Sequence, residues 1–366
     1  MTDKDKENLK AILLRNHTKY PRMQVQDVVK LLYQSEFGGG HMITDSEKSL
    51  GRIRAEAIEN AGIYGEERQE FINCKPYEFI GNGICRMYLS ALNEGLRPET
   101  LNRMFVWTAE HKKGSAERFE QKLELLLDGC QNGELLWPEQ EVCTYLAAYK
   151  KQGYPAVSHS DIYREAYHPS YRIVDERFAR YYSVFLEIDR LLEQNAENGK
   201  TVTVAIDGMC GAGKSTLGHL LAEVYDCNLF HMDDFFLRLE QRTPQRYEEP
   251  GGNVDYERFK EEILDHLEDE DGLHYQVFDC SRRALGEWRS VPHKKLNIIE
   301  GSYSQHPYFG ERYDLKVFCG VEPEEQLRRI EGRNGAAMLE MFKSKWIPLE
   351  NRYLEAFGIK EKSILV

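Results

Sequence analysis

No run of uncharged apolar residues in the sequence reaches about 18, so no membrane-spanning helix is expected. Basic residues are in deficit. The 48 Lys and Arg against 61 Asp and Glu leave a net charge of −13, which argues against a non-specific partner of nucleic acid or of an anionic membrane. The opening residues Met1-Thr2-Asp3-Lys4-Asp5-Lys6-Glu7 carry both signs of charge and no apolar core, unlike a secretory signal. The eight cysteines (Cys74, Cys85, Cys130, Cys143, Cys210, Cys227, Cys280 and Cys319) include no Cys-x-x-Cys pair. A zinc site is therefore not expected, and the scattered thiols read as reduced core residues of a cytoplasmic protein. There is no repeat of fixed period and no low-complexity tract.

What is present is ordinary globular material: 366 residues, 41% hydrophobic and 30% charged, a length that suggests two domains or three. The chain changes character near residue 195. Residues 1–193 read as a mainly α-helical domain. Apolar stripes at helical spacing run through Val25, Val28, Val29 and Leu32, through Leu101, Met104 and Phe105 after Pro98, and through Phe119, Leu123 and Leu126. A further long stripe runs from Phe178 to Leu192. Thr44-x-x-Glu47 has the form of a capping box. A β-hairpin is expected around Gly81-Asn82-Gly83, between Tyr77–Ile80 and Ile84–Leu89. Residues 194–200, polar and glycine-containing, read as a linker, and 201–366 as a second domain.

That second domain opens with the β-branched run Thr201–Ile206, a buried strand. Further strand candidates are Asn228–His231, Tyr275–Phe278, Leu296–Ile299 and Leu315–Phe318, mostly separated by helical patterns. Strand–helix alternation predicts an α/β domain, a parallel sheet with helices on both faces. Directly after the first strand, Gly208-Met209-Cys210-Gly211-Ala212-Gly213-Lys214-Ser215 matches G-x-x-x-x-G-K-[ST], and Thr216–Val224 reads as a helix. Glycines at 208, 211 and 213 let successive N–H groups point into one cavity beside the helix N-terminus. With Ala212 and Thr216 they form the expected phosphate cradle. Lys214 is expected on the β- and γ-phosphates, and the Ser215 hydroxyl on Mg²⁺. The expected ligands are therefore ATP and Mg²⁺.

The next strand ends at His231-Met232-Asp233-Asp234-Phe235-Phe236, the end that faces the ligand crevice in a doubly wound sheet. An Asp there can take a proton from an attacking hydroxyl or cap the following segment; the residues alone leave both readings open. Asn297-Ile298-Ile299 ends in Glu300-Gly301, where a carboxylate can hold Mg²⁺ directly or through water. A cap or an ion pair is the plainer alternative for Glu300. Taken in order, these motifs, then Tyr275…Ser281-Arg282 and an Arg-rich segment, resemble the uridine kinase, phosphoribulokinase and pantothenate kinase group of P-loop kinases. The resemblance covers about residues 200–357. It implies that Asp233 is the general base, that Asp255 in Asn253-Val254-Asp255 binds a nucleoside ribose, and that Tyr275 and Arg282 line the acceptor pocket. It further implies that Leu327–Arg333 is a lid whose Arg329 or Arg333 meets the transferring phosphate, and that Pro348-x-Glu350-x-x-Tyr353 is the C-terminal element. Three positions depart from the pattern. Phe236 replaces a common Tyr, Cys280 stands where the family has His, and the lid's longer arginine pattern is missing. The Cys280 departure weakens the case for a nucleoside base.

Absence of Asn-Lys-x-Asp and of Leu-Ser-Gly-Gly-Gln disfavours a GTPase and a transporter ATPase. The reading is thus an ATP- and Mg²⁺-dependent kinase acting on a small-molecule alcohol, a nucleoside among the candidates; the alternative is a nucleotide-switched regulatory protein with little turnover. In the helical half two stretches stand out. Glu36-Phe37-Gly38-Gly39-Gly40-His41 suggests a sharp bend or a close backbone approach, with His41 more simply a packing residue than a ligand. Ser158–Pro169 is a polar–aromatic cluster around His159 that reads as an interface or a binding surface.

Overall fold

A computed structural model describes residues 1–63 and 75–366; Cys74 lies outside the described residues. The chain divides into two units, Met1–Arg180 and Tyr181–Val366. In the first, the expected apolar stripes form the core: Val28, Val29, Leu32, Leu101, Met104, Phe119 and Leu126 are fully buried. They belong to helices Val25–Phe37, Pro98–His111 and Ala116–Gln131. The expected hairpin is present as β1 (Tyr77–Gly81) and β2 (Ile84–Tyr88). Its turn places Gly81, Asn82 and Gly83 at φ of +88°, +53° and +73°, a left-handed run that Gly and Asn tolerate best. A third strand, β3 (Tyr171–Asp175), completes an antiparallel sheet of order β1-β2-β3. The helix Ser46–Ile63 is capped by Asp45, whose Oδ1 accepts the Lys48 N–H at 2.9 Å, and not by Thr44 as the box pattern suggests.

The second unit is built on five parallel strands. In chain order the unit's strands are β4 (Val202–Gly208), β5 (Asn228–His231), β6 (Leu273–Asp279), β7 (Ala284–Val291), β8 (Leu296–Glu300), β9 (Leu315–Cys319) and β10 (Ile364–Leu365). The sheet order is β10-β9-β4-β8-β5. All of β4 is buried, as an unbroken β-branched run predicts. The chain fills one side of β4 with β5 and β8, then crosses to the other side for β9. The order reverses at β4, which is where such sheets open a ligand crevice.

Two expectations change. The units part between Arg180 and Tyr181, and 194–200 is not where they separate. The helix Tyr182–Asn195 belongs to the second unit, lying beside β4 and β9. The Tyr225 hydroxyl lies within donating reach of two acceptors on this helix, Asp189 Oδ1 at 2.9 Å and the Phe185 carbonyl at 3.2 Å. The candidate strand Tyr275–Phe278 exists within β6 but is not part of the parallel sheet; it pairs antiparallel with β7. The turn explains this, because Asp279 Oδ1 accepts from the N–H groups of Ser281 and Arg282 at 2.8 and 3.1 Å and reverses the chain at once. Cysteine burial is also mixed: Cys85, Cys130 and Cys319 are core thiols, whereas Cys280 is exposed.

Candidate active site

The C-terminal ends of β4, β5, β8 and β9 deliver Gly208, His231, Glu300 and Cys319 to one edge of the sheet. Gly208 has φ +131°, and a Cβ there would sit 2.1 Å from the Cys319 carbonyl oxygen. Only glycine lets β4 pass β9 this closely and still turn into the loop. Gly211 and Gly213 take φ of +74° and +101°. Gly213 then opens the helix Lys214–Val224, whose first turn receives no side-chain cap. Its orphan N–H groups, with the positive end of the helix dipole, make an anion site. Ala212 is buried within the loop, and Thr216 is exposed on the first helical turn.

Lys214 is 8% exposed and donates to the carbonyls of Gly208 at 2.7 Å and Met209 at 3.0 Å. Ser215 Oγ donates to Glu300 Oε2 at 3.0 Å, and Glu300 Oε1 pairs with His231 Nδ1 at 2.5 Å. Hydrogen bonding to that carboxylate raises the His231 pKa above its ordinary 6.5. The helix can lie this close to β8 because residue 218 is glycine; a Cβ there would meet the Glu300 side chain at 3.2 Å.

Asp233 sits in a short 3₁₀ turn, Met232–Phe235. Its carboxylate is reached by water yet crowded by protein. The crowding and the nearby Glu300 charge raise its pKa, against the pull of Lys214 and His231. Asp234, its neighbour, is engaged: its Oδ2 accepts from Arg289 at 3.1 Å and from the Tyr275 hydroxyl at 3.3 Å, tying the β6–β7 hairpin to the turn. The two aspartates thus differ: among the described residues Asp233 makes no hydrogen bond, whereas Asp234 is held by Arg289 and Tyr275.

Of the other expected residues, Tyr275 is buried, stacks on Phe235 at 5.6 Å and holds Asp234. Asp255 is 1% exposed and caps the helix Tyr256–Phe259. It lies 3.6 Å from Arg238 and 3.7 Å from Arg258, and its Oδ2 has no hydrogen-bond partner among the described residues. Arg282 is on the exposed hairpin turn, and Arg289 is the arginine that reaches Asp234. Arg329 and Arg333 lie on one continuous helix, Pro323–Asn334. Arg329 donates to the Gly211 carbonyl at 3.2 Å, and Gln326 to the Cys210 carbonyl at 2.9 Å. Among the described residues Arg333 bonds only its neighbour Asn334.

Three groups carry more of the site than the sequence showed. Asp207, fully buried, accepts from the N–H groups of Gly208, Tyr303 and Gln305 and from the Tyr353 hydroxyl at 2.7 Å. Glu350 accepts from the Cys210 N–H at 2.6 Å and from the Ser302 hydroxyl, with Lys214 Nζ 3.9 Å away. Together Glu350 and Tyr353, one turn apart on the helix Ile347–Phe357, brace both ends of the Gly208–Cys210 segment. Arg289 is the third. Glu350 and Tyr353 were signalled by the Pro348-x-Glu350-x-x-Tyr353 pattern and Asp207 by a lone carboxylate closing an apolar strand, whereas Arg289 carried no signal in the sequence.

Among the described residues no three His, Cys, Asp or Glu side chains converge as a metal set. A hard cation such as Mg²⁺ commonly takes one or two protein oxygens, with water and substrate oxygens completing its shell. Ser215 and Glu300 form such a pair beside an uncapped helix start.

No family model and no curated protein matches the sequence. Solved structures do. A protein described as a possible uridine kinase from Bacillus stearothermophilus is 17% identical, with a TM-score of 0.37, over 49% of this chain and 96% of its own. A candidate fructose transport system kinase from Silicibacter sp. TM1040 is 22% identical, with a TM-score of 0.37, over 43% of this chain and 85% of its own.

Proposed function

We propose that the unit Tyr181–Val366 is an ATP- and Mg²⁺-dependent phosphotransferase that phosphorylates a hydroxyl of a small molecule. The observation that carries the reading is the convergence, at one sheet edge, of an uncapped glycine-rich helix start with Lys214, the Ser215–Glu300 pair and Asp233. Ser215 and Glu300 are the side chains that would hold Mg²⁺, and the ion when bound would neutralise phosphate charge. The loop N–H groups and Lys214 bind and orient the phosphates. Asp233 takes the acceptor proton on a carboxylate oxygen as the hydroxyl attacks. Its raised pKa brings it closer to the range in which a base both exists and holds the proton. Asp234, Tyr275 and Arg289 fix the hairpin beside it, and Arg329 reaches the loop where the phosphates would lie. The seven described cysteines are free thiols, which supports a cytoplasmic setting.

The test is ADP release by the full chain with ATP and Mg²⁺ over nucleosides, sugars, sugar phosphates and pantothenate. At least one acceptor should raise ADP release above the rate with water alone, and Lys214→Ala should abolish that rise with unchanged circular dichroism. Turnover that no acceptor stimulates would instead indicate a nucleotide-switched protein. Full activity in Lys214→Ala would remove the loop from the mechanism.

A further inference from the structure

The polar–aromatic cluster around His159 has no part in the chemistry above; it lies wholly in the first unit. The helix Val25–Phe37 presents Asp27, Lys30 and Gln34 along one face, at spacings of three and four. Asp27 is fully buried and accepts from the N–H groups of Gln24 and Ser160, from Ser160 Oγ at 2.6 Å and from His159 Nδ1 at 2.9 Å. Burial works to raise its pKa, but the bonds from His159 and Ser160 win and keep it low. The Nδ1 proton therefore points at a carboxylate. The Tyr171 hydroxyl lies 2.7 Å from His159 Nε2 and 3.1 Å from Gln34 Oε1, two acceptors within reach of its one proton. Burial lowers the His159 pKa to about 4, so the ring is neutral.

Beside this chain lies a cavity of about 200 Å³, with Lys30, Gln34, Glu56, His159, Tyr171 and Arg172 among its walls. At about 30 Å³ per water it has room for a small organic molecule. Arg172 is spent on Glu56, through two bonds of 2.9 Å, and the charge of Asp27 is spent on its four donors. Lys30 is different. It is 9% exposed, and its three N–H donors find one hydrogen bond among the described residues, to the Val157 carbonyl at 2.9 Å. Burial lowers its pKa to about 8, so at pH 7 it is still mostly an ammonium. Asp27, one turn back on the same helix, supports that charge from a distance, but makes its own bonds elsewhere, and Lys30 forms part of the cavity wall, where an anion would offset the cost of burying a cation. The opposite requirement, an apolar surface, is met by Phe105 and Ile173, which also line the cavity. Gly39 lets the chain pass them: a Cβ there would stand 2.7 Å from the Phe105 ring and 3.4 Å from Ile173.

We propose that this cavity binds a small organic acid, a carboxylate or phosphate monoester on a short apolar body, with its oxyanion on Lys30 and its body against Phe105 and Ile173. The site is independent of the phosphate loop and of the proposed kinase activity. Calorimetry on the full chain carrying Lys214→Ala, which disables the loop as a competing phosphate site, uses butyrate, butyl phosphate and inorganic phosphate as probes. Butyrate or butyl phosphate should bind, whichever wins naming the head group, and inorganic phosphate should bind more weakly for want of the apolar body. Adding Lys30→Met should weaken binding about tenfold or more, and Lys30→Arg should retain it. Should Lys30→Met fail to fold, reductive methylation at pH 8 followed by mass spectrometry reads Lys30 in the parent protein, where the bound probe should protect it. No binding of either butyl probe at millimolar concentration, unchanged binding in Lys30→Met, or absence of protection would each overturn the proposal.

Discussion

Asp233→Asn separates catalysis from stability with opposite signs. The carboxylate makes no hydrogen bond among the described residues, so the amide, equal in size, breaks nothing on replacement. What it removes is the base. A positioned base contributes about 10²–10⁴-fold, or about 2.7–5.5 kcal/mol of barrier at 1.36 kcal/mol per tenfold. Acceptor-dependent ADP release should therefore fall at least about a hundredfold, while ATP affinity by calorimetry changes little. Stability should move the other way. Crowding and the Glu300 charge raise the folded pKa of Asp233 above its ordinary 3.8. The folded state then holds that proton more tightly than the unfolded chain does. The resulting stabilisation is present below pH 3.8 and is lost as pH rises through the folded value. At pH 7 the ionised side chain opposes folding, and Asp233→Asn should melt above the parent; below pH 3.8 the gap should close. Asp234→Asn is the control. It loosens the bonds from Arg289 and Tyr275, so it should lower the melting point with a much smaller loss of rate. Retention of rate within tenfold in Asp233→Asn, or a melting point below the parent at pH 7, would refute the reasoning.

Gly208→Ala must place a methyl group 2.1 Å from the Cys319 carbonyl at φ +131°. Left-handed strain of about 1–3 kcal/mol and overpacking of about 1–3 kcal/mol should appear together as a large loss in denaturant stability; a loss under 1 kcal/mol would contradict the close approach. The His231 imidazole should titrate above 6.5 by NMR and fall in Glu300→Gln, because the carboxylate holds its proton. Since that folded pKa is raised, the pair's stabilisation is full below pH 6.5 and fades as pH rises through the His231 value; a pKa unmoved by Glu300→Gln would break the link. Residues 181–366 should fold alone, and 200–366 should be markedly less stable, because the helix Tyr182–Asn195 lies beside β4 and β9. Equal melting points for the two fragments would place that helix outside the unit.

The phosphate loop and the strands around it were legible in the sequence for a local reason. The octet Gly208–Ser215 needs no partner to be recognised, and an apolar β-branched run such as Val202–Ile206 has one stable fate, a buried strand. The helical stripes of the first unit were equally local, and Val28, Val29 and Leu32 went to the core as their spacing required. Tertiary structure decided what depends on who meets whom. Spacing shows no partner for Asp234; Arg289, 55 residues on, is the one that pairs with it. The carboxylate beside His159 comes from Asp27, 132 residues away. Nor could periodicity assign the helix Tyr182–Asn195 to a unit, since an apolar stripe specifies that a face is buried and not against what. The strand β7 went unread because its residues are mostly exposed and carry no apolar alternation. It exists because the turn at Asp279 folds it back onto β6. Short-range geometry writes elements and glycine loops into the sequence, whereas hydrogen-bond partners and counter-ions are chosen only when distant segments close on one another.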